Sequence, residues 1–412
     1  MELTKGRYNI QGLDIQKIAH QFGTPLYLYD ASKIKEQYLK MQNAFEGLNV
    51  KIKYAAKALT NLSVLKLLRK LGSGLDAVSI GEVILGLKAG FDPKDILYTP
   101  NCVSFTEIKE AIDQGVRITI DNISILEQFG HEFGHKVPVC IRINPHIMAG
   151  GHHKISTGHI DSKFGISIHQ TRHVHRIVQT YNIQIEGLHM HTGSDILDAE
   201  VFLNGAQLLV NVAREFENLD YIDFGSGFKV AYREGDVATD IEDFGKKLGE
   251  AFRGFTEDYG KNVEIWFEPG KYITSEAGLL LVRTNVIKTT PATVFAGVDS
   301  GMNHLIRPMM YDSYHDMVNI SNPEGIPRVY SVVGYICETD TFGWNRKIVE
   351  ISEGDYLAFM NAGAYCFAMS SNYNSRFRPA EVLVHRGKDH LIRKREQLED
   401  LTRNQVILED VL

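Results

Sequence analysis

The chain has 412 residues, of which 44% are hydrophobic and 23% charged, and its formal net charge is −7. This is the composition of a globular protein with material for about two domains. No block of basic residues and no apolar run of about 18 residues occurs, which argues against nucleic acid and against a membrane as partners.

In chain order, the opening MELTKGRYNI has no apolar core of signal-peptide type, and PLYLYD at 25–30 reads as a strand. From about residue 31, short apolar strands alternate with amphipathic helical stretches. The candidate strands are 51–57, 74–78, 95–99, 117–121, 137–143, 185–191, 219–224 and 263–268. Several of the intervening helices are expected to open on a serine cap, at Ser63, Ser79, Ser104 and Ser124. Eight such units over about 240 residues match a (β/α)8 barrel in count and length; a doubly wound open sheet is the competing arrangement. After residue 278 the pattern changes to strand-like runs such as GLLLVRTNVIKTT, RVYSVVGYIC and EVLVHR, the signature of an all-β domain. Only the tail, near 396–404, looks helical again. The expected division is an N-terminal segment, 1–30, giving a strand to the β domain, then an α/β (β/α)8 barrel over 31–275, and a C-terminal all-β domain of Greek-key, barrel-like type over 276–412.

Four widely spaced cysteines, Cys102, Cys140, Cys337 and Cys366, make neither a disulfide framework nor a zinc site. No metal is expected, and a reducing cytoplasm is the expected compartment.

One residue stands out in VKIKYAAKALTN, 50–61. Lys57 falls at the end of an apolar strand, where an ammonium group is costly to desolvate unless it is paired or reacts. A snorkelling strand-end lysine is the ordinary alternative. In a barrel of this kind, chemistry gathers at the C-terminal ends of the strands. Those ends carry Lys57, then Asp76 and Ser79, then His189, His191 and Ser194. The last two strands add Gly225-Ser226-Gly227, and Glu268 with Lys271. Each is weak alone, since glycines make turns everywhere. Together they supply backbone N–H groups for a phosphate, an amine for an imine, a carboxylate for a heterocyclic nitrogen and a flat ring to stack on it. Pyridoxal 5'-phosphate has those four needs.

Nine motifs carry a wider resemblance: YAAKA (54–58), LDAVSIGE (75–82), KISTGHIDSKFGI (154–166), HMHTGSD (189–195), DFGSGF (223–228), EPGK (268–271), RPMMYDSYH (307–315), CETDTF (337–342) and GAYCFAMSSNYNSRFRPAEVLV (363–384). Over about residues 24–385 the chain resembles the alanine-racemase-like, fold-type-III pyridoxal-phosphate decarboxylases. The resemblance implies a barrel plus a C-terminal β domain. It makes Lys57 the residue that carries the cofactor as an imine. Glu268 then faces the pyridine nitrogen and His191 stacks on the ring. Asp76, Ser194, Gly225, Ser226, Gly227, Pro269, Gly270, Lys271 and Tyr365 complete the cofactor site. Cys337 is implied as the donor that returns a proton to the α-carbon, which makes Lys57, Cys337, His191 and Glu268 the catalytic set.

The implied reaction is decarboxylation of meso-2,6-diaminopimelate to L-lysine and CO2. Lys271, Arg307, Tyr311, Glu338 and Tyr365 are the implied substrate contacts, and a homodimer with sites at its interface is the implied assembly. Related decarboxylases of carboxynorspermidine, ornithine or arginine are the alternatives. Two positions depart from the family pattern: Ser226 stands where a third glycine is usual, and Lys271 where arginine is usual. A serine still presents an N–H to an anion, whereas a lysine replaces a bidentate fork by a point charge.

Overall fold

Eight strands of the middle of the chain pair in parallel and close on themselves. They are β1 (Val50–Ala55), β2 (Gly74–Ala77), β3 (Ile96–Tyr98), β4 (Arg117–Ile120), β5 (Val139–Asn144), β6 (Ile185–His189), β7 (Tyr221–Asp223) and β8 (Glu264–Phe267). Each pairs with its neighbours in the sequence, and β8 returns to β1 with Ile265 opposite Val50. This ring, with helices between its strands, is a (β/α)8 barrel, and it excludes the open doubly wound sheet. The computed structural model describes residues 1–147, 161–191, 193 and 199–409.

The chain divides into two compact units. One comprises Ile34–Ala231 and Gly235–Thr274 and holds the barrel; the other comprises Met1–Lys33, Tyr232–Glu234 and Ser275–Leu412.

Local chemistry explains where the barrel elements start and stop. Ser79 and Ser104 cap their helices as expected, accepting from the N–H groups of Glu82 and Glu107. Two expected caps are wrong. Asn61, not Ser63, accepts the N–H of Ser63, and Asn122, not Ser124, accepts that of Ile125. In both cases the asparagine, two residues earlier, has extended backbone and aims its carbonyl into the first turn, while the serine already lies inside the helix. The first strand also ends earlier than 57. Pairing stops at Ala55, whose N–H donates to the carbonyl of Pro269 at 3.2 Å. Residues Ala56–Ala58 then form a 3-10 turn that carries Lys57.

The N-terminal end of the barrel is plugged by an aromatic and cationic stack. Tyr221 and Trp266 lie face to face, centroids 3.5 Å apart and planes 6° from parallel. The Lys53 ammonium sits 4.2 Å from the Trp266 ring centre and donates to the Asp95 carbonyl at 2.9 Å. The Arg117 guanidinium lies 5.5 Å from the same ring and pairs with Glu186. Gly74 makes room for this lysine: a Cβ there would fall 2.4 Å from Lys53 Cδ and 2.7 Å from the Asp95 oxygen. The sequence singles out Lys57 as the costly lysine, yet Lys53 is the one with no exposed surface at all.

In the second unit, the strand Leu26–Asp30 lies between Gly278–Thr289, which it meets antiparallel, and Ala380–His385, which it meets parallel. Alternate residues Leu26, Leu28, Leu279, Leu281, Val382 and Val384 enter one core. The strands Val294–Val298, Pro327–Val333 and Thr341–Val349 extend the sheet on one side and Lys388–Arg393 on the other. A three-stranded sheet within residues 2–14 and a helix, Ile15–Phe22, precede this strand. The sequence pattern does not announce them. The tail helix is Leu398–Thr402.

Burial, and then the charge of Lys51, lower the Lys53 ammonium to about 7. The unfolded chain therefore holds a proton here that the folded chain releases between pH about 7 and about 10.4, so this lysine makes stability rise with pH across that window. Lys53→Met is expected to remove that rise, worth on the order of 5 kcal/mol over the whole window. Urea midpoints of parent and variant at pH 6.5, 8 and 9.5 read the difference; equal pH slopes would contradict the assignment.

Candidate active site

The C-terminal ends of the barrel strands bring one cluster together. Lys57 leans from its turn onto Asp76 of β2, and Thr99 donates to the other oxygen of the same carboxylate. Glu268, one residue beyond β8, lies with its Oε2 3.2 Å from His189 Nε2, at the end of β6. Asp223, the last residue of β7, completes a convergent set: His189, Asp223 and Glu268 each present an atom within 4.8 Å of the others, all buried. His191 stands half-buried beside them.

Three buried carboxylates cannot all be charged at this spacing without a large cost. The environment divides the charge among them. Burial pushes the Glu268 carboxyl up, but His189, by charge and hydrogen bond, and Lys57 more than offset this and hold it at about 2. Burial and then the Glu268 charge raise Asp223 well above the carboxylate range, against the N–H of Gly225. Asp76 is raised by the same two causes and pulled back by Lys57. Burial, followed by the cations Arg142 and Lys57, lowers His191 to about 3. At neutral pH the site thus offers an ionised Glu268 and a neutral imidazole.

The glycine turn is built against that imidazole. Gly225 has φ +63°, and a Cβ on it would meet His191 Nδ1 at 2.6 Å and the Met190 oxygen at 2.7 Å. Asp223 Oδ1 accepts the Gly225 N–H at 2.8 Å, and Gly225 in turn accepts the Glu268 N–H at 2.7 Å. Here one sequence expectation is corrected. The Ser226 N–H does not stand open to an anion; it donates to His191 Nδ1 at 3.2 Å. That bond puts the neutral imidazole proton on Nε2. The open part of the turn begins at Gly227, φ +138°. Pro269 and Gly270 are buried and Lys271 half-buried at the start of the short helix Lys271–Thr274. Ser194, and most of the motif 154–166, lie outside the described residues.

Sequence reasoning missed Asp223 as a carboxylate, although it opens the DFGSGF motif, because the glycines of that motif carry its stronger signal. It also passed over Arg142, buried at β5, whose guanidinium lies 4.7 Å from the Phe164 ring. The run VCIRIN gives the signal, a lone arginine in a strand buried at every position.

The remaining expected residues lie in the β unit, where four of them form two groups. Cys337 and Glu338 are exposed and share a hydrogen-bonded patch with Tyr373 and Asn374. Arg307 is buried and donates to Tyr232 and to Ser313, both at 3.4 Å; Tyr311, on the same short helix, is half-buried. Tyr365 is half-buried with φ +57°.

Residues 31–275 match the pyridoxal-dependent decarboxylase, pyridoxal binding domain. The diaminopimelate decarboxylase of Methanothermobacter thermautotrophicus is 41% identical, over 97% of this chain and 96% of that protein. The crystal structure of diaminopimelate decarboxylase from Helicobacter pylori complexed with L-lysine superposes with a TM-score of 0.87 at 33% identity, covering 95% of this chain and 98% of that one. The M. jannaschii enzyme, also in complex with L-lysine, gives 0.90 at 31% identity, with 98% of each chain covered. The barrel and its convergent mouth are those of a pyridoxal-phosphate enzyme. The chain belongs to the pyridoxal-dependent decarboxylases and, among them, to the diaminopimelate decarboxylase group.

The mouth residues fit that cofactor. Glu268 Oε1 is buried with no hydrogen-bond partner among the described residues, which suits a ligand that brings its own donor, as a protonated ring nitrogen does. The Gly225 turn leaves no room for a side chain against the imidazole. Gly225→Ala adds a Cβ at an unfavourable φ and into the His191 ring, at a strain cost of about 1–3 kcal/mol. It is expected to weaken pyridoxal phosphate binding by about tenfold or more while the fold is kept. Absorbance titration of the apo-protein reads the affinity, and a parent-like value would refute this account of the turn.

Proposed function

We propose that the protein decarboxylates meso-2,6-diaminopimelate to L-lysine and CO2, acting in the cytoplasm as a homodimer. The observation that carries this reading is the ionised Glu268, with an oxygen left without a partner, set beside Lys57 and a neutral His191 at the barrel mouth. The relatives and the lysine complexes among the solved structures support the substrate.

Pyridoxal phosphate, when bound, supplies an electron sink conjugated to the substrate's α-carbon. Lys57 would hold the cofactor through its Nζ, and Asp76, already against that nitrogen, would hold the ammonium whenever Lys57 is free. Glu268 holds a full negative charge against the proton on the ring nitrogen, which deepens the sink. The neutral imidazole of His191 offers a flat face without adding a competing positive charge. Gly227, the backbone at 269–271, Ser194 and Tyr365 bind the phosphate, with Gly225 and Ser226 shaping the turn.

The substrate's far end carries a carboxylate and an ammonium. Arg307, Tyr311 and Lys271 take the carboxylate, and Glu338 takes the ammonium. This complementarity favours diaminopimelate over ornithine, whose tail ammonium an arginine repels. Cys337 Sγ gives its proton to the α-carbon after CO2 leaves. Cys337 and Glu338 are exposed in the single chain, which supports their serving the site of a second copy.

Four measurements test this. Borohydride reduction of the yellow holoenzyme is expected to fix the cofactor on the peptide that contains Lys57; label on another lysine overturns the role. CO2 release compared across meso-diaminopimelate, carboxynorspermidine, ornithine and arginine is expected to favour the first strongly, and a preference for any of the others would replace the proposed substrate. Glu268→Gln keeps the shape and loses the charge. It is expected to retain cofactor and to lose turnover by at least about a hundredfold, roughly 2.7 kcal/mol in barrel-site stabilisation of the transition state, whereas activity within about twofold would remove Glu268 from the mechanism. In Cys337→Ala, lysine formation is expected to fall more than CO2 release, with cofactor content unchanged.

A further inference from the structure

The β unit holds Cys337 in a way that its surface position does not require. Cys337, Glu338, Tyr373 and Asn374 are all exposed, so no packing immobilises the thiol, and an exposed cysteine side chain ordinarily samples several rotamers. Here the Asn374 amide grips the residue at both ends. Its Oδ1 accepts the Cys337 N–H at 3.0 Å, and its Nδ2 donates to Cys337 Sγ at 3.1 Å. Turning the amide over would set its NH2 group against the backbone N–H, so the orientation is unique.

The other side of the sulfur is set by Tyr373. The single phenolic proton goes to Glu338 Oε1 at 2.8 Å, and that hydrogen bond raises the phenol to about 12, so the proton stays on it. Toward the sulfur, 3.7 Å away, the tyrosine oxygen can then only accept, and the thiol proton is held on that side. The backbone follows the same purpose. Asn374 and Ser375 both have left-handed φ, +57° and +54°, a conformation that asparagine tolerates better than most residues and that presents its amide to the cysteine.

We infer that Asn374 is a positioning residue for Cys337: its amide fixes the direction of the thiol, with Tyr373 and Glu338 holding the thiol proton on the opposite side. This rests on the proposed role of Cys337 as proton donor only for its effect on turnover; the effect on the thiol itself stands apart from that role.

The test uses the full-chain holoenzyme and iodoacetamide at a fixed pH of about 8, with labelling of the Cys337 peptide followed by mass spectrometry. Cys102, the other exposed cysteine, serves as the internal control. Asn374→Asp keeps the shape and the acceptor for the Cys337 N–H but turns a donor facing the sulfur into a carboxylate. Asn374→Gly keeps the left-handed backbone and removes the amide, and it serves if the aspartate variant folds poorly. Losing an N–H donor to the attacking thiolate is expected to slow Cys337 labelling by about fivefold, the weight of one hydrogen bond, and more in the aspartate variant, with Cys102 unchanged. Labelling at Cys337 within about 1.5-fold of the parent in both variants would overturn the inference. Steady-state rates separate the two claims. Slower labelling with a lower kcat for lysine at unchanged KM supports both. Slower labelling with parent-like lysine formation keeps the amide clamp and removes Cys337 as the proton donor.

Discussion

Everything at the barrel mouth depends on which of three buried carboxyl groups carries the charge. Asp76, Asp223 and Glu268 are 0%, 0% and 7% exposed, and a buried charge persists only where a partner offsets its desolvation. His189 and Lys57 offset it for Glu268. Asp223 has only a backbone N–H on one oxygen and nothing on the other among the described residues, so burial and the Glu268 charge push its carboxyl well up. The consequence is functional. A cofactor ring placed over this floor meets the charge of Glu268 in a defined place beside His189, while the Asp76 carboxylate is paired with Lys57.

That allocation also fixes the imidazole. A protonated His191 beside Arg142 and Lys57 would add a third cation to a buried site, and burial with those two charges keeps it neutral. Its Nδ1 then has a lone pair to offer, and the Ser226 N–H takes it. So the serine found where a glycine is usual costs nothing at that N–H, because the N–H belongs to the histidine. The glycine that cannot be replaced is Gly225, whose missing Cβ admits the same ring.

The architecture was legible in the sequence because its signals are local and repeated. The barrel strands are short runs rich in apolar residues, and five of the helices that follow open on a polar cap, Asn61, Ser79, Ser104, Asn122 and Asp240; Leu26–Asp30 betrays itself by the same apolar run outside the barrel. The legible part of the site, Lys57, His191, the glycine turn and Glu268, consists of residues that are chemically odd where they stand. What stayed hidden depends on side-chain direction. Nothing in IEGLH says that His189 points at Glu268, nothing in VKIKYA says that Lys53 lies on a tryptophan 213 positions away in the chain, and serine and asparagine compete on equal terms for a helix cap until the backbone decides. The short N-terminal strands have too few residues to show a period at all.

Burial and exposure call for different means of holding a reactive group still. Glu268 is held in the barrel interior beside the buried His189, so its geometry is insured by the core. Cys337 has no such surroundings. Its direction comes from three polar contacts made by two residues thirty-six and thirty-seven positions along the chain, each of ordinary strength and each open to water. A group held this way yields more readily to a change in its partners than a buried one does. That suits the proton donor proposed for this position, which has to give up its proton, turn and be resupplied in every cycle. An acid whose task is to stay charged belongs in the core beside a histidine, and one whose task is to exchange a proton belongs on a hydrogen-bonded surface.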